Sequence, residues 1–205
     1  MAGREELVDQ DVPLLNIVGE RIALGPLRRE LAPLVARWFN DLATTRALGD
    51  IVPPWTAERL RAWFAMEETT PDLVPFAIYA RDSNDWRPIG TTALLDVDMR
   101  NRTAEFGIII GAAEARGCGY GTAVTRLMLD YAFIALGLRS LLLTVYAFQQ
   151  AGLRAYAKAG FRQIGRQREV YWQAGAWHDR VYMEALARDF DSPILGLVFV
   201  PDTVR

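Results

Sequence analysis

The chain has 205 residues, 51% apolar and 23% charged, with a formal net charge of −2 at neutral pH. That composition suits one cored globular domain and carries no basic field to draw nucleic acid or an anionic membrane. A single cysteine, Cys118, excludes an intrachain disulfide and fits a reducing compartment.

The opening MAGREELVDQD is charged and lacks an apolar core, so no secretory signal is expected there. No apolar run approaches the roughly 18 residues a membrane helix needs, and a cytoplasmic location is expected. Strand material comes first, at Leu14–Val18 and Glu20–Leu24, broken at Gly19. Leu31 to Asp41 then reads as a helix. Leu34, Val35, Trp38 and Phe39 have helical spacing, and Pro33 is tolerable in the first turn. Asp50 to Trp55 reads as a loop, and Thr56 as the N-cap of a second helix carrying Leu60, Trp63 and Phe64. Pro75–Ala80 and Ile89–Val97 are predicted as antiparallel strands, with turn signals at Asp82-Ser83-Asn84-Asp85.

The stretch from Thr103 to Thr122, TAEFGIIIGAAEARGCGYGT, holds most of the information. Phe106, Ile108 and Ile110 alternate with Glu105, Gly107 and Ile109 as a strand. A small-residue turn and the loop Arg116-Gly117-Cys118-Gly119-Tyr120-Gly121-Thr122 follow. Beyond them Val124, Leu127, Met128, Tyr131 and Ala135 fall on one helical face. Three glycines permit positive φ and remove Cβ atoms, and the first amides of a helix lack intrahelical partners. With the helix dipole these make an anion cradle, and Arg116 is the fixed cation at its lip. The other reading is a tight turn with close helix packing. No lysine follows Gly121, so this is not a Walker loop, and the G-x-G-x-G spacing departs from the dinucleotide fingerprint.

Downstream, Leu141–Val145 reads as a buried strand and Ala151–Ala159 as a short helix with Gly160 just past its end. Phe161–Tyr171 and Val181–Leu186 close the sheet as a hairpin around Ala174-Gly175-Ala176. The apolar tail Ile194–Val200, between two prolines, reads as strand-like; left bare it would invite aggregation. It is therefore expected to be buried, on its own domain or across a homodimer.

The R-x-x-G-x-G pattern behind AEFGIIIG resembles the signature of the GNAT N-acetyltransferases, in particular their RimJ/RimL-like branch. Tyr156-Ala157-Lys158-Ala159-Gly160-Phe161 is similar to the family's Y-x-K-x-G-F element, and Gly175 to Asp179 with Met183 to its closing hairpin. The resemblance covers residues 18–187 of one domain, with 188–205 as a C-terminal extension. It implies a mixed α/β fold: a central sheet of about seven strands, two parallel central ones splayed apart, with flanking helices. It also implies acetyl-CoA as cosubstrate, an amine acceptor and no metal. The pantetheine arm would then meet Ile108, Ile109 and Ile110, and the pyrophosphate the loop Arg116, Gly117, Cys118, Gly119, Tyr120, Gly121 and Thr122. A basic residue usual in the family is replaced by Cys118, its pantetheine-binding Asn by Gln149, and an Ala by Gly152.

By the same resemblance Tyr156 stands at the position of the proton donor to the departing thiolate; its other reading is packing on one face of an amphipathic helix. A phenol of pKa about 10 can serve a thiol near ~8.5. Deprotonating a lysine-like amine at pH 7 costs roughly 4–5 kcal/mol, an α-amine only about 1. Glu105 is the candidate base, either directly or through water; its other reading is an ion-paired or surface carboxylate. Trp55 is expected beside the acceptor. Asp41, Asp50, Glu58, Glu67 and Glu68 offer an acidic groove for a cationic acceptor or form a solvated face. His178 is read as solvated, Asp179 as a turn former, and Cys118 as a cradle residue rather than an acyl carrier. The acceptor is expected to be a protein N-terminus or a small amine. A catalytically silent acetyl-CoA-binding module is the alternative.

Overall fold

The computed structural model of the chain describes residues 12–46, 48, 53–67, 69–83 and 85–200. Within them one mixed sheet of eight strands runs in the order β1-β2-β3-β4-β5-β6-β8-β7. Its strands are β1 (Ile17–Val18), β2 (Ile22–Pro26), β3 (Val74–Asp82), β4 (Asp85–Asp98), β5 (Thr103–Ile110), β6 (Ser140–Tyr146), β7 (Arg162–Gln173) and β8 (Ala176–Leu186). Every neighbouring pair is antiparallel except β5 and β6. The expectation of about seven strands thus becomes eight, because the material around Gly19 forms two strands that pair with each other.

The helices are α1 (Ala32–Asn40), α2 (Leu42–Thr45), α3 (Ala57–Glu67), α4 (Tyr120–Asp130), α5 (Gln150–Ala159) and α6 (Leu195–Val198). Thr56 caps α3 as expected, its hydroxyl accepting from Arg59 N at 3.1 Å. α4 continues into a π-turn over Tyr131–Ala135. The extra residue in that turn rotates the buried face, so Ala132 and Phe133 are buried while Tyr131 and Ala135 are only half-buried. The main core joins β2 through Ile22 and Leu24 to α1, α3, α4 and β6. Strand alternation sends Ala23, Ala77 and Tyr79 to the opposite face, under Leu15, Leu31 and Trp86.

The tail is not a strand. Asp130, fully buried, accepts from Ser192 Oγ at 2.5 Å and from the amides of Ile194 and Leu195 at 3.0 Å each. Those bonds start α6 and bury Leu195, but Leu197, Val198, Phe199 and Val200 stay exposed. Among the described residues, no helix is long and apolar enough to cross a membrane.

Candidate active site

β5 and β6 pair only at Thr103–Ser140, Ala104–Leu141 and Glu105–Leu142. Beyond Glu105, β5 continues against β4 and β6 against β8, so the two parallel strands part. The gap opens into a cleft of about 430 Å³. Glu105 to Ile110, Thr144, Val145, Gln149 and Tyr156 line one part of it. Phe39, Thr44, Trp63, Phe64 and Glu67 line another. A strand edge left without its neighbour presents backbone donors and acceptors to whatever fills the gap. Ile108, Ile109 and Ile110 therefore stand where an extended amide-bearing arm can bond to them.

Past the end of β5 the chain turns through Gly117 and Gly119, at φ +76° and +83°. Gly119 is the N-cap of α4 and supplies no side chain; Ala123 N bonds its carbonyl at 3.3 Å. The amides of Tyr120, Gly121 and Thr122 thus precede the helical ladder. A Cβ built on Gly117 or Gly119 would meet nothing within 4 Å, so the concavity is open. The cradle fits a diphosphate. Gly121 is helical rather than left-handed, a correction to its expected role; a Cβ there would lie 3.9 Å from that of Ala155 on α5, an ordinary contact. Thr122 Oγ1 also turns inward, donating to Ala155 O at 3.4 Å.

Arg116 is placed differently from expectation. Its guanidinium donates to the carbonyls of Ile110 and Gly111, at 3.2 and 3.0 Å, and to the Thr44 hydroxyl, and lies 3.7 Å from Asp41. It braces the loop against α2 instead of waiting at the lip. Cys118 is exposed, its thiol directed at the carbonyls of Glu114 and Arg116. Gln149 reaches the cleft, but its Oε1 accepts from Tyr146 N at 2.9 Å, which leaves its amide NH2 for a ligand.

Tyr156 stands on α5 with its ring edge-on to Phe106 and Phe161. Crowding by protein, with no hydrogen bond to offset it, pushes its phenol up to about 12. It is a neutral O–H at physiological pH, as a proton donor must be. Glu105 is half-buried, and burial, helped by Asp96, raises its carboxyl; Arg180 and a hydrogen bond with Thr144 oppose this. Both residues line the cleft.

Trp55 does not line it. Asn40 clamps its backbone with bonds of 2.7 and 3.0 Å, and its ring packs on Phe39 and Trp63 under Arg59. Trp63, placed from sequence on the second helix, is the tryptophan that faces the cleft. The acidic groove also resolves differently. Asp41 caps α2, accepting from Ala43 N and the Thr44 hydroxyl, and Glu58 pairs with Arg61 at 3.3 Å. Asp50 and Glu68 lie outside the described residues. Of the three described, Glu67 alone lines the cleft, with 9% of its surface exposed. Its signal was present: Leu60, Phe64 and Glu67 are spaced by four and three residues, which puts a carboxylate on the apolar stripe of α3.

His178 packs edge-on to Phe148 with Nε2 3.3 Å from Gln173 O, half-buried rather than solvated. Asp179 accepts from Glu169 N and pairs with Arg166 at 2.8 Å, the structural role expected of it. Among the described residues no group of three or more His, Cys, Asp or Glu is placed to hold a metal.

Comparison with known proteins gives a consistent picture. A family model described as an acetyltransferase (GNAT) domain matches residues 21–162. The chain is 30% identical to the spermidine N(1)-acetyltransferase of Escherichia coli K12 over 168 residues, 79% of this chain and 84% of that one. It is 27% identical over 174 residues to YokL, an SPbeta prophage-derived uncharacterized N-acetyltransferase of Bacillus subtilis, covering 84% and 94% of the two chains. Among solved structures, the spermidine N-acetyltransferase of Vibrio cholerae in complex with CoA and spermine superposes with a TM-score of 0.76 at 22% identity, covering 83% of this chain and 98% of that one. That last likeness is one of fold.

Proposed function

This chain belongs to the acetyltransferase (GNAT) family, and from that premise we propose that it moves the acetyl group of acetyl-CoA directly onto a small cationic amine of the polyamine kind. The observation that carries the reading is the parting of β5 from β6, with an open amide cradle at one end and a partly aromatic wall at the other. Acetyl-CoA supplies a thioester as acyl donor when it lies there. The free edge at Ile108–Ile110 orients the pantetheine arm, and the amides at Gly117–Thr122 with the α4 dipole receive the diphosphate. The Gln149 amide NH2 is a further donor to the arm. Tyr156 holds a proton for the departing sulfur, and Glu105, directly or through water, draws protons from the acceptor.

A polyamine acceptor is supported by the 30% identity to a spermidine N(1)-acetyltransferase over most of both chains. The RimJ/RimL-like assignment rests on the motifs alone, and a reducing, cytoplasmic setting on an exposed, unpaired Cys118 thiol. A homodimer is retained on the exposed run Leu197–Val200; sedimentation as a monomer at micromolar concentration would remove it.

The test is release of free thiol from acetyl-CoA with spermidine, with peptides bearing free α-amines, and with an aminoglycoside. Turnover on spermidine above the others is expected. Coenzyme A binding by calorimetry without turnover on any acceptor would make the chain a silent binding module instead.

A further inference from the structure

Resting on the acetyltransferase reading, we propose that the Glu67 carboxylate seats the acceptor's ammonium group and takes its first proton, so that the protein selects amines that arrive charged. Glu67 ends α3 and is nine-tenths buried, and its Oε2 is buried with no hydrogen-bond partner. A lone carboxylate in that position costs stability unless a proton or a cation reaches it. The side chain lines the same cleft as Tyr156 and Glu105. Its neighbours on that wall are Trp63, Phe64 and Phe39, whose ring faces attract a cation. One carboxylate among aromatics suits an ammonium group; it offers too few oxygen ligands for a divalent metal.

Among the described residues no charged group offsets its burial. On α3, Glu58, Arg59 and Arg61 face solvent, as do Arg37 on α1 and Arg29 and Glu30 on the turn before it. In the cleft lining the other titratable side chains are Glu105 and Tyr156. Burial alone raises the Glu67 carboxyl to about 7. A base poised there can exchange a proton with an amine at neutral pH.

The proton balance closes. The ammonium gives one proton to Glu67, which freed of it carries its lone pair to the acyl carbon. The nitrogen–carbon bond forms as the carbon–sulfur bond breaks, with the pair left on sulfur. Sulfur takes the Tyr156 proton, Glu105, directly or through water, draws one from the nitrogen and passes it to the phenolate, and Glu67 releases its own to solvent. The net change is ammonium and thioester to amide, thiol and one proton.

The experiment compares wild type, Glu67→Gln and the apolar Glu67→Leu on two acceptors. One is 1,3-diaminopropane, cationic at neutral pH; the other is O-methylhydroxylamine, largely uncharged there. Both variants are expected to raise KM for the diamine about tenfold or more. They should also lose the ionisation near neutrality in the kcat/KM profile. With O-methylhydroxylamine they should stay within about twofold of wild type in kcat/KM. Calorimetry of the diamine with the CoA-loaded protein should show the same weakening, with proton release lost. Equal effects on both acceptors, or none on either, would overturn the role of Glu67 while leaving the acetyltransferase reading intact. Failure of wild type to acetylate either amine would overturn both.

Discussion

Arg116 donates from Nη2 to the Thr44 hydroxyl at 2.5 Å, bridging 72 residues of sequence. The same guanidinium holds the carbonyls of Ile110 and Gly111. One side chain therefore fixes the end of β5, the entrance to the amide cradle and helix α2 in a single geometry. Arg116→Lys keeps the charge and loses the planar fork that makes three bonds at once. It is expected to cost about 1–2 kcal/mol in urea unfolding and to weaken coenzyme A binding. Hydrogen exchange at Leu42–Thr45 should quicken in the variant; unchanged exchange there would show that the brace is not needed.

Gly119→Ala probes the cradle itself. The φ of +83° makes a side chain strained by about 1 kcal/mol although the space around it is open. The expected outcome is a small loss of thermal stability and a larger loss of coenzyme A affinity. Equal affinities in calorimetry would move the diphosphate elsewhere.

Tyr156→Phe removes a hydroxyl that no hydrogen bond stabilises. Stability should hold or rise slightly, coenzyme A affinity should stay within about twofold, and kcat should fall about a hundredfold. With its phenol raised to about 12, the wild-type enzyme keeps this proton across the usual assay range. Gly152→Ala is the complementary gain. Its new Cβ would lie 3.4 Å from Tyr156 Cε2 and 3.6 Å from Val145 Cγ2, ordinary contacts. An α5 more stable by up to about 1 kcal/mol should show in the melting temperature.

Glu67 makes stability depend on pH. Its carboxyl is raised from 4.5 to about 7, so the folded chain keeps a proton that the unfolded chain gives up. The contribution is complete below pH 4.5 and is lost as pH rises through 7, up to ~3 kcal/mol. Urea unfolding of wild type at pH 5 and pH 8 should differ accordingly, and Glu67→Gln should shrink the difference. A variant with the same slope as wild type would place the titration on another group.

Asp130→Ala should free the tail. Three donors lose one buried acceptor, a loss of about 2 kcal/mol or more. Limited proteolysis should cut between 190 and 200 in the variant before wild type.

What could be read from the chain before folding was what local patterning encodes. The β5–loop–α4 unit, the Thr56 cap, the Gly160 stop and the β7–β8 hairpin are each written in residues within a few positions of one another. Contacts set by distant partners could not be read. Arg116 looked like a free cation because Thr44 and Asp41 are far off in sequence. Trp55 looked like an acceptor-site residue because nothing local announces the Asn40 clamp. The apolar tail looked like a strand because its helical start depends on Asp130, 64 residues upstream of Ile194. The π-turn escaped because its looser hydrogen-bonding leaves no mark in apolar spacing.

Among the described residues, the sheet ladder joins strands β1–β5 to β6, β8 and β7 through three facing pairs, from Thr103–Ser140 to Glu105–Leu142, with Arg139 N bonding Arg102 O beside them. The sheet is in effect two plates, of five and three strands, riveted at one corner. A molecule laid along the open seam bonds both plates and completes a join the polypeptide leaves unfinished. Amide hydrogens of the two plates should accordingly exchange on separate schedules in the free protein and on a common one once the seam is filled.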